Sequence, residues 1–184
     1  MKKLLLMTGD LACGKSTFGR MLSRRYHVEL FFKDSIKEAL GDTIGFADRQ
    51  ENLKLSRAAV EIMTLIFSEF AGQGKDLILE ANFRTKELEK LHVIAAEHGY
   101  SVLTLVFRAE IPVLHRRYLH RIAHENRHPV HIITVLDDPT DFAAYIAGAR
   151  AERIPGDTLT VSADDFSYQT DPALLRRLDD FFRQ

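Results

Sequence analysis

Gly9-Asp10-Leu11-Ala12-Cys13-Gly14-Lys15-Ser16 is the stretch on which the reading of this chain turns. Its pattern, G-x-x-x-x-G-K-[ST], is that of a phosphate-binding loop. Two glycines let the backbone curl until successive N–H groups point at one centre, and such a nest holds phosphate oxygens. Lys15 brings a positive charge to the outer phosphates, and the Ser16 hydroxyl is placed to ligate magnesium. A helix that starts here turns its unpaired N–H groups and its positive dipole end toward the same anion. The flanks agree. Leu4-Leu5-Leu6-Met7 is the continuous apolar run of a buried parallel strand, and Phe18, Met21 and Leu22 follow at helical spacing.

At 184 residues the chain fits one domain, 1–184, and can bury a proper core. Hydrophobic residues make up 46% and charged residues 28%, as in ordinary globular proteins. The formal net charge of -1 gives no global basic field, so duplex nucleic acid is not an obvious partner. The single cysteine, Cys13, has no partner for an internal disulfide, and packing explains it better than redox chemistry. Lys2 and Lys3 precede only four apolar residues, too few for a signal-peptide core or a membrane span, so a cytoplasmic protein is expected.

Outward from the loop, strands and helices alternate, which predicts an α/β fold with a mostly parallel sheet. After the first helix, to about Arg25, Val28–Phe32 reads as a second strand. A short helix over Ser35–Leu40 is then closed by Gly41, with a looser stretch over Asp42–Arg49. Glu51–Phe70 is a long helical pattern, with Leu55, Ala59, Ile62, Met63, Ile66 and Phe70 at three- and four-residue steps and Gly72 and Gly74 at its end. Leu77–Glu80 is a third strand, and Thr85 is placed to N-cap a helix that turns Leu88, Leu91 and Ala95 inward. Ser101–Phe107 is a fourth strand, and Pro112 opens a helix with Leu114, Tyr118 and Ile122 on one side. Asp138-Pro139 starts another, carrying Phe142, Tyr145, Ile146 and Ala149. Thr158–Val161 is a fifth strand, and Pro172–Phe182 closes the chain with Leu175, Leu178 and Phe182 inward.

In an open parallel sheet ligands bind beyond the carboxyl ends of the strands. Asp34 follows strand two, where a carboxylate can orient an acceptor hydroxyl and take its proton; capping the next helix is the plainer role open to it. Lys37, one turn on, is a candidate for a substrate anion or a solvated lysine. Glu80, at the tip of strand three, suits holding a magnesium ion through its water shell. Asn82 and Arg84 follow as candidate substrate contacts. Arg117 and Arg121 share a helix face, and a lid at about 112–135 could close them over a nucleotide and steady the charge on a transferring phosphoryl. His120, His124, His128 and His131 invite a zinc reading, but no carboxylate or thiolate spacing completes a site.

The GxxxxGKS loop, the aspartate some twenty residues later, the carboxylate at Glu80 and the Arg117-x-x-x-Arg121 lid followed by Arg127-His128-Pro129-Val130-His131 together resemble a group of P-loop kinases. The group holds the 5′-hydroxyl polynucleotide kinases, the zeta-toxin-like kinases and the chloramphenicol phosphotransferases, all AAA-type ATP-binding kinases. The resemblance implies a three-layer α/β/α P-loop NTPase fold, with a five-stranded parallel sheet in the order 2-3-1-4-5 and a helical lid. It implies ATP and Mg2+, and transfer of the γ-phosphate to a hydroxyl. On that likeness Gly9, Leu11, Ala12, Cys13, Gly14, Lys15, Ser16, Thr17, Arg121 and Arg127 bind ATP. Lys15, Asp34, Arg117 and Arg121 serve catalysis, with Asp34 activating the acceptor. Asp34, Lys37, Asn82 and Arg84 meet the substrate, and Ser16 and Glu80 (through water) serve the metal. Lys37 stands where polynucleotide kinases carry a phosphate-reading arginine, and Glu80 where an aspartate is commoner. Ser162–Asp165 resembles the adenine-side loop.

The expected activity is an ATP-dependent kinase acting on a hydroxyl of a small molecule or nucleotide. A polynucleotide 5′-hydroxyl kinase is the narrower variant, disfavoured by the near-neutral charge. A nucleotide-binding ATPase or sensor without an acceptor is the reading from another class. A GTPase switch lacks its Asn-Lys-x-Asp guanine reader. The sequence names neither the acceptor nor the oligomeric state.

Overall fold

The computed structural model of the chain describes residues 2–132 and 136–183. Its centre is β1 (Lys2–Gly9). This strand pairs in parallel with β3 (Leu77–Glu80) on one side and β4 (Tyr100–Arg108) on the other. Beyond them lie β2 (Glu29–Phe32) and β5 (Asp157–Ser162), so five parallel strands run in the order β2-β3-β1-β4-β5.

Alternation along β1 explains the layers. Leu4 and Leu6 point to one face, Leu5 and Met7 to the other, and none of the four is exposed to solvent. Burying each such side chain contributes roughly 1.5–3 kcal/mol. On the first face lie α3 (Arg49–Gln73) and α4 (Thr85–Glu97), which bring Met63, Phe67, Leu88 and Leu91 against Leu4 and Leu6. The second face carries α1 (Lys15–Tyr26), α5 (Ile111–His124), α6 (Pro139–Arg150) and α7 (Pro172–Arg183). They bring Phe18, Leu22, Leu114, Phe142, Ile146 and Leu178 against Leu5 and Met7. The result is the three-layer α/β/α arrangement that the resemblance to P-loop kinases implies.

Several boundaries differ from those read off the sequence, each for a tertiary reason. The helix after β2, α2 (Lys33–Ile44), continues through Gly41 instead of stopping there. A Cβ on Gly41 would stand 2.5 Å from Cγ1 of Val130, so this glycine serves the close approach of another segment. Gly45, at φ +77°, ends the helix in its place. In α3 the start moves back to Arg49. Asp48 caps it by accepting from the Glu51 N–H at 2.9 Å, and Glu51 reaches back to the Ala47 N–H at 2.7 Å. Gly72 lies inside this helix, and Gly74 alone terminates it. Arg84, not Thr85, is the N-cap residue of α4. In α6 Phe142 and Ile146 are buried, while Tyr145 and Ala149 face outward. In α7 Leu174, Leu178 and Phe181 are buried; Leu175 is only half-buried, and Phe182 stacks on Tyr26 with ring centroids 4.4 Å apart.

The segment 127–131 forms a strap over α2, ending in a short 3-10 turn, Pro129–His131. Val130 is buried against Gly41. Residues 133–135 of the expected lid lie outside the described residues. An alanine at Gly41 gains helix propensity yet overpacks the strap, so Gly41→Ala is expected to destabilise by about 1–3 kcal/mol. Val130→Ala added to it is expected to recover part of that loss. Urea unfolding of the two variants checks both outcomes.

Candidate active site

The loop between β1 and α1 is pressed against β4. Gly9 sits at φ +117°, and a Cβ there would lie 2.2 Å from the Phe107 carbonyl oxygen, so only glycine fits. The Asp10 N–H donates to that oxygen at 2.8 Å. Ala12 takes a left-handed φ of +58° without being glycine, a conformation that costs about 1–2 kcal/mol. Gly14, at φ +77°, leaves room for Tyr168, whose Oη would be 2.8 Å from any Cβ. The Tyr168 hydroxyl donates to the Cys13 carbonyl at 2.8 Å. Burial pushes the Cys13 thiol up to about 11, which keeps it protonated near neutral pH.

Lys15 and Ser16 open α1. The Lys15 ammonium donates to the Asp10 carbonyl at 2.5 Å and to the Gly9 carbonyl at 3.4 Å, bending back over its own loop. Ser16 Oγ donates to Glu80 Oε2 at 2.8 Å. Glu80 is buried at the tip of β3, and burial raises its carboxyl above the usual range while Lys15 and the Ser16 hydroxyl pull it back. Asp34 also acts on Glu80, raising it further. The tips of β1, β2 and β3 thus share one electrostatic neighbourhood. Asp34 itself is exposed in the first turn of α2 and does not cap that helix, whose N-cap is Phe32.

Asp10 was not among the residues singled out from the sequence. Its side chain is completely buried and accepts from Arg108 Nη1 at 3.0 Å, Arg150 Nη2 at 2.6 Å and the Ala109 N–H at 3.2 Å. Arg150 also donates to the Ala109 carbonyl at 2.6 Å. One carboxylate thereby ties the loop to β4 and to the end of α6. The signal was available: a carboxylate inside a phosphate nest repels the ligand, so it has to turn away toward cations of its own.

The cations near the crevice divide into engaged and unengaged. Arg117 donates to the Ala163 and Asp164 carbonyls at 2.6 and 2.7 Å and lies over the Phe166 ring at 4.3 Å. It therefore joins α5 to the loop after β5 instead of standing free in a lid. Arg121 pairs with Glu125 at 3.0 Å on the surface. Arg127 is half-buried and has no side-chain partner among the described residues; burial and nearby Arg121 push its guanidinium below its ordinary range, while Asp34 opposes them. Asn82 and Arg84 are exposed just past β3.

Lys37 is placed differently from a substrate contact. Its buried ammonium donates to Asn52 Oδ1 at 2.7 Å and to the Val130 carbonyl at 3.0 Å, and Asn52 Nδ2 reaches the same carbonyl at 3.0 Å. The group is committed to holding the strap on α2 and α3. The strap's histidines do the same: His128 meets Asp42 at 2.9 Å and His131 meets Glu38 at 2.8 Å. His120 and His124 stack on each other with centroids 4.3 Å apart. Among the described residues no group of three or more His, Cys, Asp or Glu side chains has the geometry to hold a metal ion.

A concavity of about 620 Å³ lies between α5 and α6, lined by Ile111, Pro112, His115, Arg116, Leu119 and Pro139. None of the crevice residues named above lines it. No helix among the described residues is long and apolar enough to cross a membrane.

Residues 4–144, about three quarters of the chain, match the AAA domain family AAA_33. The chain belongs to that family. Among solved structures this AAA domain is similar to a protein of Chloroflexus aurantiacus described as a candidate kinase, with 26% identity, 98% of each chain covered and a TM-score of 0.82. The shikimate kinase of Bacteroides thetaiotaomicron shares the fold at 19% identity, with 99% of each chain covered and a TM-score of 0.60. The APS kinase of Mycobacterium tuberculosis, solved with AMPPNP and APS, shares it at 16% identity, with 100% of this chain and 98% of that one covered and a TM-score of 0.58. Comparison with curated protein sequences returns no match. The fold is therefore that of P-loop kinases.

Burial lowers Lys37 from 10.5 to about 8, with Lys33 adding to the shift and Asp34 opposing it. The unfolded chain then binds the extra proton between about 8 and 10.5, so this residue's contribution to stability rises with pH across that window. The stability of wild type relative to Lys37→Met is expected to increase from pH 8 to pH 10.5 in paired urea titrations.

Proposed function

We propose that this AAA domain is an ATP-dependent kinase that transfers the γ-phosphate to a hydroxyl of a small molecule or nucleotide. The observation that carries the reading is the Ser16 hydroxyl lying 2.8 Å from the buried Glu80 carboxylate at the mouth of the curled loop. A hydroxyl and a carboxylate are hard oxygen donors that suit magnesium, with Ser16 as direct ligand and Glu80 acting through water. When bound, the metal neutralises charge on the phosphate oxygens.

The chain's own groups supply the rest. Backbone amides of residues 9–17 hold the phosphates, and the Lys15 ammonium moves from the loop carbonyls onto them. Asp34 orients the acceptor hydroxyl and takes its proton as the oxygen bonds to the γ-phosphorus and the bond to the β-phosphate oxygen breaks. Arg127, half-buried and without a side-chain partner among the described residues, faces the transferring group, and Arg121, which acts on it electrostatically, joins it there. Arg117 takes a different role from the one expected. Fixed on the loop after β5 and stacked on Phe166, it builds a flat wall for the adenine ring. Lys37 acts on the substrate only indirectly, by anchoring the strap that carries Arg127.

On this reading the chain works as one domain, in the cytoplasm, with nucleic acid not favoured as acceptor. A polynucleotide 5′-hydroxyl kinase is the narrower form, and an ATPase or sensor without acceptor is what remains if no hydroxyl is phosphorylated. Two substitutions separate the parts. Lys15→Ala is expected to lower ATP affinity or turnover by at least ~100-fold. Asp34→Asn is expected to keep ATP affinity within ~3-fold while transfer falls by at least ~100-fold. Equilibrium binding of ATP together with transfer of labelled phosphate across an acceptor screen measures both; full transfer in the Asp34 variant would move the base elsewhere.

A further inference from the structure

The kinase reading leaves open what the acceptor is. Resting on that reading, the geometry points to an acceptor that carries a carboxylate or phosphate group, held between Arg49 and Arg84, while its hydroxyl meets Asp34.

Most arginines around the crevice have work to do. Arg108 and Arg150 satisfy Asp10, Arg117 holds the loop after β5, and Arg121 pairs with Glu125. Arg49 and Arg84 have no side-chain partner among the described residues, and both stand where a cation is locally unfavourable. Arg49 is the first residue of α3 and Arg84 the N-cap of α4. Each sets a positive charge against the positive end of a helix dipole, which disfavours it. A guanidinium also offers no acceptor to the first N–H groups of α4. Glu152, just past α6, accepts from the Thr85 N–H and hydroxyl at 2.7 Å each, and the Arg84 carbonyl accepts from the Glu87 N–H at 3.0 Å. The helix start is satisfied by these acceptors, and position 84 keeps a cation with no side-chain partner among the described residues. Local rules broken and compensated in this way mark functional positions.

Three anchors bring these residues around Asp34. Glu80 is in register with Phe32, so Asp34 and Arg84 follow neighbouring strand tips. Asn52 bonds to Lys37 at 2.7 Å, and Arg49 and Asp34 each stand one helical turn before one member of that pair. Glu152, two residues past α6, grips Thr85, so the helix that carries Tyr145 ends beside Arg84. Consistent with this, Asp34, Arg84 and Arg49 all lie close enough to act electrostatically on the phenol of Tyr145, itself 44% exposed. Asp34 thus shares its surroundings with two guanidinium groups and a phenol. Guanidinium forks fit carboxylate and phosphate oxygens bidentately.

The test fills the phosphate loop first. Wild-type protein saturated with AMPPNP and Mg2+ is titrated with inorganic phosphate and followed by amide NMR shifts. The inference expects saturable binding with shifts around residues 34, 49, 84 and 145. It expects Arg49→Gln/Arg84→Gln to weaken that binding by ~10-fold or more while AMPPNP affinity stays within ~2-fold, and Arg84→Lys to recover part of the loss. Transfer assays with matched acceptors, a polyol and the sugar acid of the same carbon skeleton, are expected to favour the acidic member at least ~10-fold in kcat/KM. In the double variant that preference is expected to be lost through KM. No phosphate binding to the AMPPNP-filled protein, equal binding by the double variant, or preference for the neutral acceptor overturns the inference and leaves the kinase reading standing. Failure of AMPPNP to bind at all removes the kinase reading itself.

Discussion

The close packing of residue 9 against β4 is the constraint on which the rest of the crevice depends. With no room for a side chain beside the Phe107 carbonyl, β1 must leave the sheet at a glycine and curl at once. Asp10 then turns inward beneath the curl, where Arg108, Arg150 and the Ala109 N–H satisfy it. Tyr168 holds the other end of the loop through the Cys13 carbonyl. A loop fixed at both ends holds its shape without help from a ligand, and such preorganisation favours phosphate binding.

Around this loop, the parts proposed to meet the acceptor are held by longer-range contacts. The strap over 127–131 rests on α2 and α3 through Lys37, Asn52, two histidine–carboxylate pairs and Val130 over Gly41. Asp34 sits on the same helix as Lys37 and Glu38, so the position of Arg127 relative to Asp34 is set by how that strap is seated. This gives buried Lys37 a physical role: a lysine drawn down to about 8 by burial spends its hydrogen bonds on seating the strap that carries Arg127.

The sequence made legible whatever is local. The curled loop, its strand and its helix occupy consecutive residues, and the hydrophobic spacing of each later element gave its existence and type. The sheet order came from resemblance to P-loop kinases. What stayed hidden was the use made of side chains by partners far away in the chain. Arg117 and Arg121 share a helix face by spacing, but the partners of Arg117 are 46 and 47 residues distant, and they turn it from a lid cation into a wall of the loop after β5. Lys37 reads as a surface or substrate lysine until the carbonyl 93 residues away comes down on it. Gly41 reads as a helix stop until Val130 is seen above it. Thr85 reads as a cap until its N–H and hydroxyl are seen donating to Glu152, 67 residues away. Each error has one cause: short-range pattern gives where an element lies, and tertiary contact decides what its exposed groups do.

A crystal structure with AMPPNP and Mg2+ tests the central claim most directly. The account predicts the triphosphate in the amide nest of residues 9–16, the Lys15 ammonium moved from the Gly9 and Asp10 carbonyls onto phosphate oxygen, and the Ser16 hydroxyl turned from Glu80 to the metal. A nucleotide bound elsewhere, with Lys15 still on those carbonyls and Ser16 still on Glu80, would contradict it.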